Sequence, residues 1–260
     1  MALLEVENVT LTFRGLAALL TVGFAVEEGS ITSLIGPNGA GKTSMLNCVS
    51  GRYTPDTGSI RLDGRPLTGL PAHARTALGL SRTFQNIALF RGLSVLDNLL
   101  VGRHRRLDYG LLSALFYFGK ARRSEDAHRR RVEDVIDFLG LSPYRHQPAG
   151  RLPYGVQKRV ELGRALAAEP RLILLDEPMA GMNLEETEDM ARYILDINEE
   201  WGITVLLVEH DMGVVMDLSD QVVVLDFGQV LAAGAPAEVQ QNPEVVAAYL
   251  GSEDMVYQGR

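Results

Sequence analysis

Apolar and polar residues alternate along the first part of the chain in the manner of β-strands. The stretch LLEVENVTLTF alternates, and FAVEEGSITSLIG continues with extended patterning, so both predict early strands. GSIRLDG, at positions 58–64, predicts another strand between glycines. A glycine-rich turn at 36–41 separates these strands and leads into SMLNCVS.

The pattern becomes helical in the middle of the chain, from 94 to 141. SVLDNLLVGRH and RRVEDVIDFLGL carry apolar residues at helical spacing, and GLLSALFYF is a short apolar insert between them. This block is therefore expected to form a helical lobe.

Apolar strands alternate with helices in the last part of the chain. After a helix that begins near 155 come RLILLDEP, a helix through 185–200, ITVLLVEH, another helix and QVVVLDF. Strands that are apolar on both faces favour a parallel sheet covered by helices on each side. The predicted fold class is therefore α/β.

Composition agrees with a globular protein that has a sizeable core. The chain has 260 residues, of which 46% are hydrophobic and 22% charged. No apolar run approaches ~18 residues, and MALLEVENVT lacks a basic region followed by an apolar stretch, so we expect neither a membrane span nor a secretion signal. The single cysteine, Cys48, excludes an internal disulfide and is expected to be a small buried residue.

Charge is distributed unevenly. The net charge of −8 argues against a protein that binds nucleic acid through general phosphate attraction. Positions 103–131 nevertheless hold nine Lys or Arg residues and three acidic ones, around the insert GLLSALFYF. Two interpretations stay open: the insert rests against anionic lipid headgroups, or it packs on its own lobe with solvated arginines around it.

The sequence GPNGAGKT follows an apolar strand and opens a helix, which is the context of a phosphate-binding loop. Backbone N–H groups at 38–43 can surround a phosphate at the positive end of the helix, and Lys42 can reach the β and γ phosphates. The hydroxyl of Thr43 is a candidate Mg²⁺ ligand. The candidate ATP-binding residues here are Gly36, Pro37, Asn38, Gly39, Ala40, Gly41, Lys42, Thr43 and Ser44.

Two carboxylates end the buried strand in LILLDEP, and burying such a strand up to an acidic pair is costly unless the acids have a function. We expect Asp176 to complete the Mg²⁺ shell. Glu177 is expected to orient the attacking water and to accept its proton.

Two more polar residues follow extended segments. His210 follows ITVLLVE and is expected at the same sheet edge as the phosphate loop and the acids, where doubly wound proteins bind ligands. A purely structural histidine is the alternative. Gln85, in RTFQN, borders the helical lobe, and a polar turn residue is its alternative.

These motifs together resemble the ATP-binding-cassette ATPases over nearly the whole chain. LPYGVQ occupies the place of the family signature, usually Leu-Ser-Gly-Gly-Gln, and a helix start with proline and glycine suits close approach to a ligand. The resemblance implies that this segment covers ATP bound to a second subunit. The signature residues that match are Leu152, Gly155 and Gln157, and those that depart are Pro153, Tyr154 and Val156.

The resemblance also implies roles for residues outside the signature. Phe13 would stack on adenine, Gln85 would link the metal and the water to the helical lobe, and His210 would contact the γ-phosphate. Asn183 stands where many relatives have aspartate, so signalling between subunits is expected to be weaker.

The fold implied is a P-loop NTPase core with a mainly parallel sheet, an N-terminal antiparallel β subdomain and an inserted helical subdomain. The expected boundaries are 1–85 and 160–250 for the core, 86–159 for the helical subdomain and 251–260 for a tail.

Within the family, motifs such as RTFQN, DEPMAGMN and PEVVAAYLG are most similar to the larger ATPase subunit of hydrophobic, branched-chain amino acid importers. The resemblance implies hydrolysis of Mg²⁺-ATP at the cytoplasmic face of the inner membrane. It also implies permease subunits as partners, a second ABC ATPase subunit (a heterodimer rather than a homodimer), and indirectly a solute-binding protein, but no nucleic acid.

Other functions remain as alternatives. Urea or amide importers and the ATPase of lipopolysaccharide export have similar loops. An ATP-gated clamp in translation or DNA repair is a rival, although such proteins usually carry two cassettes or a long coiled-coil insertion, and neither pattern is found here. A GTPase switch is disfavoured because the chain has no Asn-Lys-x-Asp motif.

Overall fold

The computed structural model describes residues 1–85, 87–103 and 120–249. The apolar insert GLLSALFYF, much of the basic stretch around it and the predicted tail at 251–260 lie outside the described residues. The two interpretations of the insert therefore remain predictions.

An antiparallel sheet forms the N-terminal part of the protein, as the alternating pattern predicted. Its strands lie in the order β2-β1-β4-β5, and β1 pairs with both β2 and β4. Most apolar side chains of β1 are buried and its polar side chains are more exposed, which is the expected pattern for a sheet with one covered face. The strands are β1 Ala2–Phe13, β2 Leu16–Glu27, β4 Thr57–Leu62 and β5 Arg65–Pro66.

A second sheet of six strands forms the centre of the molecule. Its order is β10-β9-β3-β8-β7-β6, and all neighbours are parallel except β9 and β10. Every residue of β3, β7 and β8 is buried, so the predicted parallel sheet with two covered faces is confirmed. The strands are β3 Ile31–Ile35, β6 Leu80–Arg82, β7 Leu172–Asp176, β8 Thr204–Val208, β9 Gln221–Asp226 and β10 Gln229–Gly234.

Helices connect the strands and cover the central sheet. Among the described residues, none of these helices combines the length and the apolar character needed to span a bilayer. The helices are α1 Lys42–Ser50, α2 Ala72–Ala77, α3 Val95–Arg103, α4 Lys120–Phe138, α5 Tyr154–Leu166, α6 Leu184–Glu199, α7 Met212–Leu218 and α8 Pro236–Gln240, with short 3₁₀ turns at Ser142–Tyr144 and Ala149–Arg151.

The two faces of the central sheet contribute to different apolar cores. Leu172 and Leu174 of β7 pack in the cluster that includes α1 and the antiparallel sheet. Ile173 and Leu175 pack in the cluster formed by α3, α4, α5 and α6. Cys48 of α1 is fully buried in the first of these cores, as expected from its sequence environment.

Some elements were not expected from the sequence. The first two thirds of β2, LAALLTVG, lack clean alternation because register shifts interrupt the pairing with β1. β10 is a short edge strand with two alanines and a glycine, and α2 and α8 are only one or two turns long. Helix α5 runs without a break across residue 159, where the helical subdomain was predicted to end.

The start of α5 packs closely on the start of α6. Asn183 caps α6: its Oδ1 accepts the N–H of Glu186 at 3.0 Å, and the Glu186 carboxylate accepts the N–H of Asn183 at 3.2 Å. A Cβ on Gly155 would lie only 2.3 Å from Oε1 of Glu186. Glycine at this position therefore allows the capping box and the start of α5 to coexist.

We expect Gly155→Ala to destabilise the chain only when Glu186 is present. The new methyl would displace the Glu186 carboxylate from the cap, whereas in a Glu186→Ala background alanine should simply improve helix propensity. Urea unfolding of the four chains should give a coupling energy of about 1 kcal/mol. Additive effects would contradict the contact.

Candidate functional site

The loops that carry the predicted site residues meet at one edge of the central sheet. Strands β3, β6, β7 and β8 run parallel, so their carboxyl ends point the same way. The loops that follow them bring the segment 36–43, Gln85, the acidic pair of β7 and His210 to this edge. The convergence predicted from strand-end positions is therefore present.

The segment 36–43 is a tight glycine loop between β3 and α1. Gly36, Gly39 and Gly41 have φ values of 144°, 84° and 103°, a backbone conformation that glycine adopts without strain. A Cβ on Gly36 would lie 2.0 Å from the carbonyl oxygen of Leu225. Gly41 caps α1 without a side-chain hydrogen bond, so the N–H groups of the first turn are available to an anion.

Lys42 folds back over this loop. Its Nζ donates to the carbonyl oxygens of Gly36 at 2.6 Å and of Pro37 at 2.9 Å. Burial lowers the pKa of Lys42, and the charges of Glu177 and Asp176 partly oppose that shift. The ammonium group is thus held by the loop through two hydrogen bonds, and the charges of the two carboxylates act on it.

A buried ion pair fixes Asp176. Its Oδ2 accepts a hydrogen bond from Nη2 of Arg82 at 2.9 Å, and both side chains are almost fully buried. Arg82 also donates to Asn47 and to Ser50 of α1, each at 2.8 Å. The strand-end acid is therefore connected to the helix that follows the phosphate-type loop.

The other oxygen of Asp176 has no hydrogen-bond partner although it is buried. Buried polar atoms are normally paired, so an unpaired one calls for a physical reason. Asp176 lines a cavity of about 350 Å³ together with Thr43 and Gln85. A carboxylate, a hydroxyl and an amide oxygen are the donor set of a hard divalent cation, so the predicted metal ligands fit this site.

Gln85 and Glu177 form a direct pair: Nε2 of Gln85 donates to Oε2 of Glu177 at 2.9 Å. The backbone of Glu177 is left-handed, with φ of 49°, and its N–H donates to Val208 of β8 at 2.9 Å. Such a conformation is rare for a non-glycine residue and often marks a functional position.

His210 lies at the same edge but contacts a different acid. Glu209 is buried, and its Oε1 accepts the N–H of Met179 at 3.1 Å while Oε2 accepts the N–H of His210 at 3.2 Å. Burial raises the pKa of Glu209. The His210 side chain is 65% exposed, with Nδ1 3.6 Å from Oε2 of Glu209, so it is oriented toward solvent rather than into the core.

Phe13 lies at the end of β1, and 42% of its surface is exposed. Its ring meets the ring of Tyr53 edge-on, with centroids 5.1 Å apart. Tyr53 is in turn bonded through its N–H to Asn47 of α1. The predicted adenine contact is thus an accessible aromatic next to the helix of the phosphate-type loop.

The signature-like segment lies against the loop that follows the acids. Tyr154 donates from its hydroxyl to the carbonyl of Ala180 at 3.1 Å. Gln157 donates to the carbonyl of Leu152 at 2.8 Å and so closes the turn from which α5 begins. Leu152 is buried and Pro153 is the exposed residue that caps α5.

Three charged residues of the site were not found from the sequence. Arg82, the first residue of RTFQN, and Lys158, which follows LPYGVQ, were not predicted as site residues, yet both side chains are almost fully buried. Glu209 did carry a signal, because it ends a buried strand in the same way as the acids of β7.

Comparison with known proteins agrees with this geometry. Residues 19–180 match the family model described as ABC transporter, and 229–255 match the one described as branched-chain amino acid ATP-binding cassette transporter. The high-affinity branched-chain amino acid transport ATP-binding protein BraF of Pseudomonas aeruginosa is 44% identical over 96% of this chain and 98% of its own length. LivG of Escherichia coli, of the same description, is 40% identical with the same coverage.

Solved structures of cassettes share the fold. The ADP conformation of an ATP-binding cassette of an ABC transporter superposes with a TM-score of 0.84 at 32% identity, covering 96% of this chain and 99% of the other. A dimeric bacterial ABC transporter cassette superposes with a TM-score of 0.76 at 25% identity, covering 90% and 98%. The resemblance drawn from the motifs is thereby confirmed: the chain belongs to the ABC transporter family and is an ATPase cassette of that family.

Proposed function

We propose that this chain is the ATP-hydrolysing subunit of an importer for branched-chain or related hydrophobic amino acids. The observation that carries the enzymatic part is the pairing of Gln85 with Glu177 beside the glycine loop and the unpaired oxygen of Asp176. The transported class is supported by the relatives, which are named for branched-chain amino acid transport and match over nearly their whole length.

The residues of the glycine loop would bind the phosphates of ATP. N–H groups of 38–43 at the start of α1 face the anion, and Lys42 would exchange its bonds to Gly36 and Pro37 for bonds to the β and γ phosphates. Thr43, Gln85 and Asp176 would hold Mg²⁺, which neutralises charge on the phosphates. Phe13 would stack on the adenine.

Glu177 would act as the general base. Its carboxylate accepts a proton from water as the water oxygen attacks the γ-phosphorus and the bond to the ADP oxygen breaks. Gln85 holds that carboxylate by the 2.9 Å hydrogen bond and would orient the water. His210, exposed at the same edge, would contact the γ-phosphate.

The second half of each site would come from another subunit. The segment that contains Leu152, Gly155 and Gln157, at and just before the start of α5, would cover ATP bound to a second ABC ATPase subunit, with a heterodimer favoured over a homodimer. Dimeric cassettes among the similar structures support this arrangement. Closure and reopening of the dimer would follow ATP binding and hydrolysis.

Permease subunits would place the chain at the cytoplasmic face of the inner membrane. Phe84, Phe90 and Leu93, which flank Gln85 in sequence, expose apolar side chains, which suits a groove that receives a permease helix. A solute-binding protein would act indirectly, through the permease.

Purification of the tagged subunit from detergent-solubilised membranes tests these partners. A permease pair and a second, different cassette would support the proposal. Ribosomes or DNA-repair proteins in their place would refute it in favour of a clamp function.

Uptake of labelled leucine, compared between wild-type cells and cells carrying Lys42→Ala, tests the transported solute. Uptake that is independent of this lysine would contradict amino-acid import by this chain.

Glu177→Gln should reduce ATP hydrolysis by about 10²- to 10⁴-fold while ATP binding is retained, because the amide can hold a water but cannot accept its proton. ATP-stabilised dimers should then be visible by size-exclusion chromatography. Glu199→Gln, the same change at an exposed position of α6, is the matched control. Near-normal steady-state hydrolysis in Glu177→Gln would refute the assigned base.

Pro153→Ser should raise the ATPase activity of the assembled complex. Proline has neither a hydroxyl nor an N–H to donate to a γ-phosphate, and a hydrogen bond to a charged group contributes roughly 1.5 to 3 kcal/mol, or about tenfold or more in rate. The site covered by this signature is therefore expected to be the slower one of a heterodimer. Pro153→Ala, which lacks the hydroxyl, should give no increase. A folded, assembled serine variant that is unchanged or slower would contradict the asymmetry.

A further inference from the structure

Helix α5 carries three charged residues on one stripe, of which two are buried and the third is half-buried. Lys158, Glu161 and Arg164 are spaced three residues apart, which places them on the same face of the helix. Lys158 is 3% exposed and Glu161 is 2% exposed. Burying charges without partners is costly. The hydrogen-bond partners of these three side chains therefore indicate the role of the stripe.

Two members of the stripe bind the backbone around Gln85. Oε1 of Glu161 accepts the N–H of Phe84 at 3.3 Å and of Ala88 at 3.4 Å. Arg164 donates from Nη1 to the carbonyl oxygen of Ala88. The segment that carries Gln85 is therefore attached through its main chain to α5, on both sides of the glutamine.

The third member reaches the catalytic pair. Nζ of Lys158 donates to the carbonyl oxygens of Gln85 and of Glu177, each at 3.3 Å. The same ammonium lies 5.8 Å from the centre of the Tyr154 ring, within range of a cation–π contact. One cation thus bridges the main chains of the two residues whose side chains form the Gln85–Glu177 pair.

The backbone of Glu177 needs such a constraint. Its φ of 49° is left-handed, and a conformation of this kind persists only where the surroundings hold it. The N–H of Glu177 is fixed by Val208 of β8, and its carbonyl by Lys158 of α5. The position of the carboxylate therefore depends on the central sheet at one end of the residue and on α5 at the other.

We propose that Lys158 is a positioning residue that couples the helix of the signature to the general base of the same subunit. Movement of α5 would displace the main chains of Gln85 and Glu177 together, so that their carboxylate–amide pair keeps its geometry. This inference rests on the proposed function, because it assigns Lys158 an effect on hydrolysis through Glu177.

Lys158→Met tests the proposal in the full chain, since methionine keeps the apolar stem and removes the donor. We expect kcat for ATP to fall by about tenfold or more with KM changed less than about threefold, because binding at the glycine loop is untouched. Lys158→Arg, which retains a charged donor, should recover a large part of kcat. Arg159→Gln is the matched control: this neighbour on α5 donates instead to Leu139, away from the site, and should stay within about twofold of wild type.

A second measurement separates positioning from a general loss of structure. In the Glu177→Gln background the base is absent, so adding Lys158→Met should change the single-turnover rate by less than about threefold. The ATP-stabilised dimer should also persist. An equal tenfold loss in both backgrounds, or a wild-type kcat for Lys158→Met, would overturn the proposal.

Two controls separate the proposed role of Lys158 from a folding defect of the variant and from a failure of the proposed function. If Lys158→Met does not reach the melting temperature of the wild type, Lys158→Gln replaces it, and a wild-type kcat for that variant would overturn the proposal. Absence of ATP hydrolysis by the wild-type protein would instead refute the proposed function itself, which is a distinct outcome.

Discussion

Parallel pairing of β8 with β3 and with β7 is the interaction on which the site depends. Val208 of β8 is paired with Leu34 of β3 on one side and with Asp176 of β7 on the other. This register places the glycine loop and the acidic pair within two strand spacings of each other, each about 4.8 Å. A slip of one residue would turn the alternate side chains of β8 to the other face and would be opposed by both apolar cores.

Buried charges then fix the geometry that the sheet allows. Asp176 is paired with Arg82, Glu209 accepts two main-chain N–H groups, and Lys158 donates to two carbonyls. Each would be left as an uncompensated charge if its segment moved alone, which is strongly unfavourable in a dry environment. The loops at the sheet edge are therefore connected by contacts that favour joint displacement over independent motion.

The sequence predicted an element or a site correctly where its pattern is compatible with only one kind of structure. The apolar strands of the central sheet and the loop at 36–43 were predicted because burial on both faces and a glycine turn before a helix leave clear signals. Arg82 and Lys158 were missed because the sequence alone does not distinguish a buried, paired cation from a solvated one. The carbonyls that satisfy Lys158, at Gln85 and Glu177, lie far from it in sequence. β10 was missed because its short sequence, with two alanines and a glycine, lacks alternation, and the first part of β2 was missed because register shifts interrupt its pattern.

Burial of Cys48 has a consequence for the motion of the helix on which it lies. Burial raises the pKa of this thiol to about 11, and the thiolate is the form that reacts. Modification by a thiol reagent therefore requires α1, which begins at Lys42, to open from the core. The rate of that modification reports the free energy of opening, and a nucleotide bound at the start of α1 would slow it in proportion to its affinity. The modification rate of the single thiol of the chain thus measures how often the helix that follows the phosphate loop opens.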